Sequence, residues 1–272
     1  VASGNSYTRY LPGRKRWRGS HGYWQEFGGD GTRLAKDWGD LNWLDSPKEH
    51  PVTARYIDLS HEITEGLVTY PGLPAPVITP HLTREDSVGK YAPGTTFAMD
   101  IITMIGNTGT YLDSPFHRYG DGGDLASLEL ATLVDQRAEV FHLRSAPGRG
   151  ISPQQLAGRD LAGAAVLLDT GWDRHFGSPS YATASPFLTE AGARFLVEAG
   201  VSMVGIDSLN IDDTESGGER PAHSLLLAAG IHVVEHLRGL DGLPESGALF
   251  TAVPPRVRGF GTFPVRAFAR LP

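Results

Sequence analysis

The chain of 272 residues contains no cysteine. That absence excludes disulfide frameworks, zinc ribbons, iron–sulfur clusters and thiol nucleophiles. Any metal must therefore be held by His, Asp, Glu or other oxygen donors. Long apolar runs are also missing, so no segment is predicted to span a membrane. Val1 to Tyr10 lack the apolar core of a signal peptide, and a cytoplasmic location is expected. Basic charge is in short supply. The 24 Lys+Arg against 31 Asp+Glu give a net charge of −7, the wrong sign for a general nucleic-acid binder. No Gly-x-Gly-x-x-Gly follows the first strand and no Gly-x-Ser-x-Gly elbow occurs, which sets aside Rossmann dehydrogenases and serine hydrolases.

What is present suffices for a sizeable core, with 40% hydrophobic and 20% charged residues. Residues 1–50 stand apart from the rest. They hold four of the five tryptophans (Trp17, Trp24, Trp38, Trp43) and carry eight basic against six acidic residues. Glycines and charges interrupt every apolar period there. We read an irregular, aromatic-rich arm with one short helix near Thr32 to Trp38, packing on the main domain or on a second subunit. Its Arg14–Arg18 basic cluster is too small for a nucleic-acid footprint.

Over residues 51–272 the pattern becomes that of a globular domain. Strands are predicted at Tyr56–Ser60, Leu67–Gly72, within Thr96–Ile105, and at Ala138–Leu143, Ala164–Asp169, Val201–Ile206 and Ile231–Glu235. A short helical stretch is predicted at Leu125–Leu133. A helix starts at Ser152-Pro153, another runs from Thr189 to Ala199 and stops at Gly200, and a third covers Ala222–Ala229. Strands alternating with helices predict an α/β domain with a mixed sheet.

The segment Asn107-Thr108-Gly109-Thr110-Tyr111-Leu112-Asp113-Ser114-Pro115-Phe116-His117 gathers the chemistry-bearing residues. Gly109 permits close backbone approach, Pro115 fixes a turn, and Asp113 and His117 converge if the chain turns helically between them. Glu235 ends an apolar strand on the face of Ile231 and Val233, where a carboxylate calls for a partner or a cation. His232 and His236 are expected on the opposite face, as structural or surface residues. His61 has no partner pattern but lies just past the first strand.

The segment resembles the signature His-x-Gly-Thr-His-x-Asp-x-Pro-x-His of the cyclase superfamily, which includes bacterial kynurenine formamidase and isatin hydrolase. It matches at Gly109, Thr110, Asp113, Pro115 and His117, and departs at Asn107 and Tyr111, where two histidines are expected. Asp58-Leu59-Ser60, Tyr70-Pro71-Gly72, Asp169-Thr170-Gly171-Trp172, Gly205-Ile206-Asp207-Ser208 and the pair His223 and Glu235 extend the resemblance over residues 56–265.

The resemblance implies a mixed-sheet α/β fold of the kynurenine formamidase-like, swivelling β/α/β type, assembled as a homodimer or homotetramer. It implies one divalent ion, Zn²⁺ or Mn²⁺, on Asp113, His223 and Glu235. A second ion is doubtful with Asn107 and Tyr111 in place of imidazoles. His117 takes the acid–base position, and Tyr111 is a candidate donor to a developing oxyanion. The expected reaction is hydrolysis of a small cyclic amide, formamide or lactone. The alternatives are a metal-free or metal-assisted cyclase or dehydratase of secondary (polyketide-like) metabolism, acting through His117 and Tyr111, and a silent homologue whose arm mediates assembly or partner binding.

Overall fold

The computed structural model describes residues 54–272, together with the backbone of four short strands earlier in the chain. Two compact units divide it, Val1–Val52 and Thr53–Pro272. In the first unit β1 (Tyr10–Leu11), β2 (Lys15–Ser20), β3 (Tyr23–Phe27) and β4 (Arg33–Leu34) form an antiparallel sheet in sequential order. The arm is thus not irregular where it is described. Arg33–Leu34 is strand rather than helix, and the rest of the expected helix lies outside the described residues. Aromatic residues suit a pleated backbone, and Tyr23-Trp24 and Phe27 fall on β3, one of the two inner strands.

The second unit is built on a nine-stranded mixed sheet. Four parallel strands form its centre: β9 (Gln136–His142), β11 (Ala165–Asp169), β13 (Met203–Ile206) and β14 (His232–Glu235). Parallel neighbours need crossovers. These carry α1 (Pro153–Leu156), α2 (Glu190–Ala199) and α3 (Pro221–Ala228). Beside β14 lie β8 (Tyr111–Asp113) and the edge strand β16 (Thr262–Pro264), both antiparallel. On the far side β15 (Ser246–Thr251), β17 (Phe268–Arg270) and β5 (Tyr56–Asp58) complete the order β16-β8-β14-β13-β11-β9-β15-β17-β5.

The innermost strands β11 and β13 are near-continuous apolar runs because both of their faces are covered. Val166, Leu168, Val204, Ile206 and Val233 meet Ala193 and Leu196 of α2 and Ala222, Leu226 and Leu227 of α3. The alternate residues Ala165, Leu167, Met203 and Val234 pack with Leu59, Leu237, Leu240 and Leu243. A Cβ on Gly205 would meet Leu237 at 2.6 Å and Leu167 at 2.8 Å, so a side chain here would force both leucines to shift. α2 starts at Thr189, whose hydroxyl accepts from the Gly192 N–H at 3.1 Å, and stops at Gly200 in the left-handed region (φ 70°).

Two predicted elements are corrected. Leu67–Gly72 is a succession of turns, closed by the Leu73 N–H on the Tyr70 carbonyl. Its Pro71-Gly72 bend outweighs the β-formers before it. Leu125–Leu133 yields only a 3-10 turn at Leu130–Thr132. Asp124 and Glu129 compete there for nearby backbone and hydroxyl donors. A hairpin not anticipated as such pairs β6 (Val77–Leu82) with β7 (Met99–Thr103). Among the described residues no helix is long and apolar enough to cross a membrane.

Candidate metal centre

β8 lies between β14 and β16, and its register decides the site. Leu112 enters the core, which turns Tyr111 and Asp113 to the opposite face. Across the sheet Asp113 faces Thr262 and Val233, while Tyr111 faces Pro264 and Glu235. After β8 the chain bends through a 3-10 turn at Pro115–His117, with the Ser114 N–H donating to the Gly261 carbonyl at 2.8 Å. This turn brings His117 Nδ1 to 3.7 Å from Asp113 Oδ1, the convergence expected of the four-residue spacing. Gly109, at φ 63°, lets the preceding loop pass within contact of Ile63.

His223 arrives from the first turn of α3. Asp212, buried in the loop after β13, caps that helix from ten residues upstream. Its carboxylate accepts from the Ala222 N–H at 2.6 Å, the His223 N–H at 3.0 Å and His223 Nδ1 at 2.7 Å. With Nδ1 engaged, Nε2 points inward, 3.5 Å from both Asp113 Oδ2 and Glu235 Oε1. Asp113, His117 and His223 also present ligand atoms within 4.8 Å of one another. The four residues Asp113, His117, His223 and Glu235 therefore share one site, and only His117 is exposed.

Glu235 is braced by the Ile211 N–H on Oε1 at 2.6 Å and by the Tyr111 hydroxyl on Oε2 at 2.6 Å. Asn107 lies beside the same phenol. Burial, with Glu235 and Asp113 close by, holds the Tyr111 hydroxyl well above its usual range, so it is a neutral donor. Burial also pushes Glu235 up. Burial alone would raise Asp113, but His223, His117 and Thr262 outweigh it and keep its carboxyl below the ordinary value. For His223 burial opposes charge, yet the surrounding Glu235, Asp113 and Asp212 hold its imidazolium up to about 10.

This donor set fits a divalent cation. Asp113 Oδ2 is buried with no hydrogen-bond partner, and it faces an imidazole nitrogen whose charge two carboxylates already stabilise. An oxygen–nitrogen set of this kind suits Zn²⁺ or Mn²⁺.

His236 overturns an expectation. It leaves β14 at a positive φ of 57°, so the strand alternation ends at Glu235 and the ring turns back under the site. There it is fully buried, with Nε2 at 3.3 Å from the Tyr111 hydroxyl and Nδ1 at 2.9 Å from that of Tyr181. Burial pushes it down to about 3. His232 does face the other way, with Nε2 3.1 Å from the Thr132 hydroxyl. His61 stacks on Phe176 at 3.6 Å between ring centres. Sequence reasoning missed Asp212 and Thr262 altogether. The signal for Asp212 was the polar run Asp207-Ser208-Leu209-Asn210-Ile211-Asp212 following the apolar β13, since ligands gather outside the carboxyl ends of parallel strands.

Fold and site together define an α/β protein with a buried carboxylate–imidazole centre at one end of its sheet. The family model described as Putative cyclase matches residues 57–213, and the chain belongs to this family. The kynurenine formamidase of Geobacillus thermodenitrificans is 32% identical over 218 residues, covering 79% of this chain and 97% of the relative. Isatin hydrolase A from Labrenzia aggregata, bound to benzyl benzoate, shares the fold with a TM-score of 0.70 at 23% identity, over 80% of this chain and 94% of that one. A structure described as a predicted metal-dependent hydrolase from Bacillus stearothermophilus superposes with a TM-score of 0.64 at 26% identity, over 80% of this chain and 98% of its own.

Proposed function

We propose that this protein is a metal-dependent hydrolase of a small cyclic amide, formamide or lactone. The observation that carries the reading is the unpartnered, buried Asp113 Oδ2 facing His223 Nε2 and Glu235, with His117 open to solvent beside them. Asp113, His223 and Glu235 would hold one divalent ion, which when bound supplies Lewis-acid polarisation of the scissile carbonyl. His117 takes the proton of the attacking water and returns it to the leaving nitrogen or oxygen. Asp212 keeps His223 in the orientation that presents Nε2 inward. The names of the relatives, formamidase and isatin hydrolase, point to the same class of bond.

A metal-free cyclase or dehydratase acting through His117 and Tyr111 is less well supported, because the Tyr111 hydroxyl is already spent on Glu235. Tyr111 acts instead as a brace for that carboxylate. The same reading expects a homodimer or homotetramer, which the mass in solution tests.

The deciding experiment is elemental analysis of the purified protein beside an Asp113→Ala variant, followed by assay with formanilide, isatin and a simple lactone. About one zinc or manganese per chain, lost in the variant along with turnover, is the expected result. No metal after incubation with either ion, or metal retained by the variant, refutes the proposal. Comparing Glu235→Gln with His117→Ala assigns the third ligand: the former should weaken the ion, the latter should spare it and lose turnover.

A further inference from the structure

Thr262 sits on the edge strand β16, opposite Asp113, and its side chain is buried. Its hydroxyl makes two contacts that together admit one arrangement of protons. It donates to Asp113 Oδ1, and it lies 2.7 Å from His117 Nδ1. A hydroxyl has a single proton. The contact with Asp113 Oδ1 is one in which the hydroxyl donates, so its proton is spent there. Thr262 must then donate to Asp113 and accept from His117.

We infer that Thr262 is a positioning residue, whose hydroxyl bridges His117 to Asp113 and fixes the His117 imidazole as the Nδ1–H tautomer. Nε2 is thereby left as the lone pair that acts as base. The direct separation of His117 Nδ1 from Asp113 Oδ1 is 3.7 Å, outside hydrogen-bond range, so the hydroxyl is the connection. The bridge also divides the Asp113 carboxylate by role. Oδ1 serves the acid–base residue through Thr262, and Oδ2, which has no partner, remains for the cation. An imidazole free of such a contact has no reason to keep this tautomer; here the second nitrogen's hydrogen bond selects it.

The backbone around Thr262 is closely packed. A Cβ on Gly261 would overlap the backbone N and Cα of His117, and one on Gly106 would overlap the Thr262 carbonyl. Two glycines thus let three chain segments meet at van der Waals contact around one hydroxyl. A role confined to filling the strand would ask only for a β-branched side chain of this shape, which valine also supplies.

The inference rests on His117 being the acid–base residue, and the test separates the two. Ring ¹⁵N shifts of His117 are measured in the full-length, metal-free protein for wild type, Thr262→Ser and Thr262→Val, with urea unfolding as the check on folding. The expected result is the Nδ1–H pattern in wild type and the serine variant, and a shift toward Nε2–H in the valine variant. With formanilide as probe, Thr262→Val should lower kcat at least about tenfold with little change in KM, and serine should restore it. An unchanged ring pattern in a folded Thr262→Val overturns the inference without reference to any substrate. If His117→Ala loses turnover and Thr262→Val does not, the positioning role is refuted and His117 stands. If His117→Ala itself keeps turnover, the reading of His117 falls, and the role of Thr262 falls with it.

Discussion

Asp212→Asn is the most informative single change outside the residues proposed to hold the cation. The carboxylate is fully buried and satisfies three donors: the Ala222 N–H on one oxygen, and the His223 N–H and Nδ1 on the other. Asparagine has the same shape but one acceptor oxygen, and its NH₂ must face at least one of those donors. Leaving one buried donor unpaired costs about 1–3 kcal/mol. Losing the negative charge at the start of α3 adds up to about 1 kcal/mol. The metal-free variant should therefore be about 1–4 kcal/mol less stable than wild type in urea unfolding. Because Asp212 also orients His223, zinc affinity measured by chelator competition should fall about 10–100-fold. Both readouts come from the same protein, and they test different contacts. A variant with the wild-type urea midpoint and zinc affinity would refute the reasoning, since neither the helix cap nor the imidazole would then depend on this carboxylate.

Zinc or manganese at about 100 times its dissociation constant should stabilise the fold by about 2.7 kcal/mol, reversed by chelator; an unfolding midpoint indifferent to both ions contradicts the site. His232 carries a pH dependence. Burial holds it neutral, with a pKa lowered from 6.5 to about 4, so its contribution is complete above pH 6.5 and is lost as pH falls through 4. That loss is about 3 kcal/mol, and His232→Leu should remove it from the acid limb of a stability–pH curve; an unaltered limb would show that the ring is not the titrating group. Gly261→Ala drives a methyl group into the His117 backbone and should cost about 1–3 kcal/mol while displacing the turn. Turnover should fall further than zinc affinity, and equal losses in both would argue that His117 is a ligand.

Where the signal was local, the sequence was informative. Thr189 and Gly200 bound α2 by side-chain capping and a left-handed stop, both of which operate within a few residues. The runs Ala165–Asp169 and Met203–Ile206 are buried on both faces and read as strands for that reason. Asp113 and His117 could be paired from spacing because a 3-10 turn joins them. What was not legible depends on distant chain. Thr262 reaches Asp113 across 149 positions, and Asp212 finds His223 only through the fold of a buried loop. His236 was misplaced because strand alternation was extended one residue past Glu235, where a positive φ reverses the chain. Leu67–Gly72 shows the opposite error, in which β-forming residues yield to a Pro-Gly bend.

The position of β8 has a kinetic consequence. Both of its sheet neighbours, β14 and β16, come more than a hundred residues later in the chain. Synthesis at roughly 5–20 residues per second leaves Asp113 waiting many seconds for His223, Glu235 and Thr262. Such non-local pairing slows folding, because loop closure is unfavourable until the distant strands arrive. The centre is thus among the last parts of the molecule to become complete. A nascent chain can assemble the β9–β11–β13 layer while its three-residue Tyr111–Asp113 strand still has both edges open. Cation capture at the proposed site would then report the finished fold, and zinc uptake during refolding would time the closing of β16 onto β8.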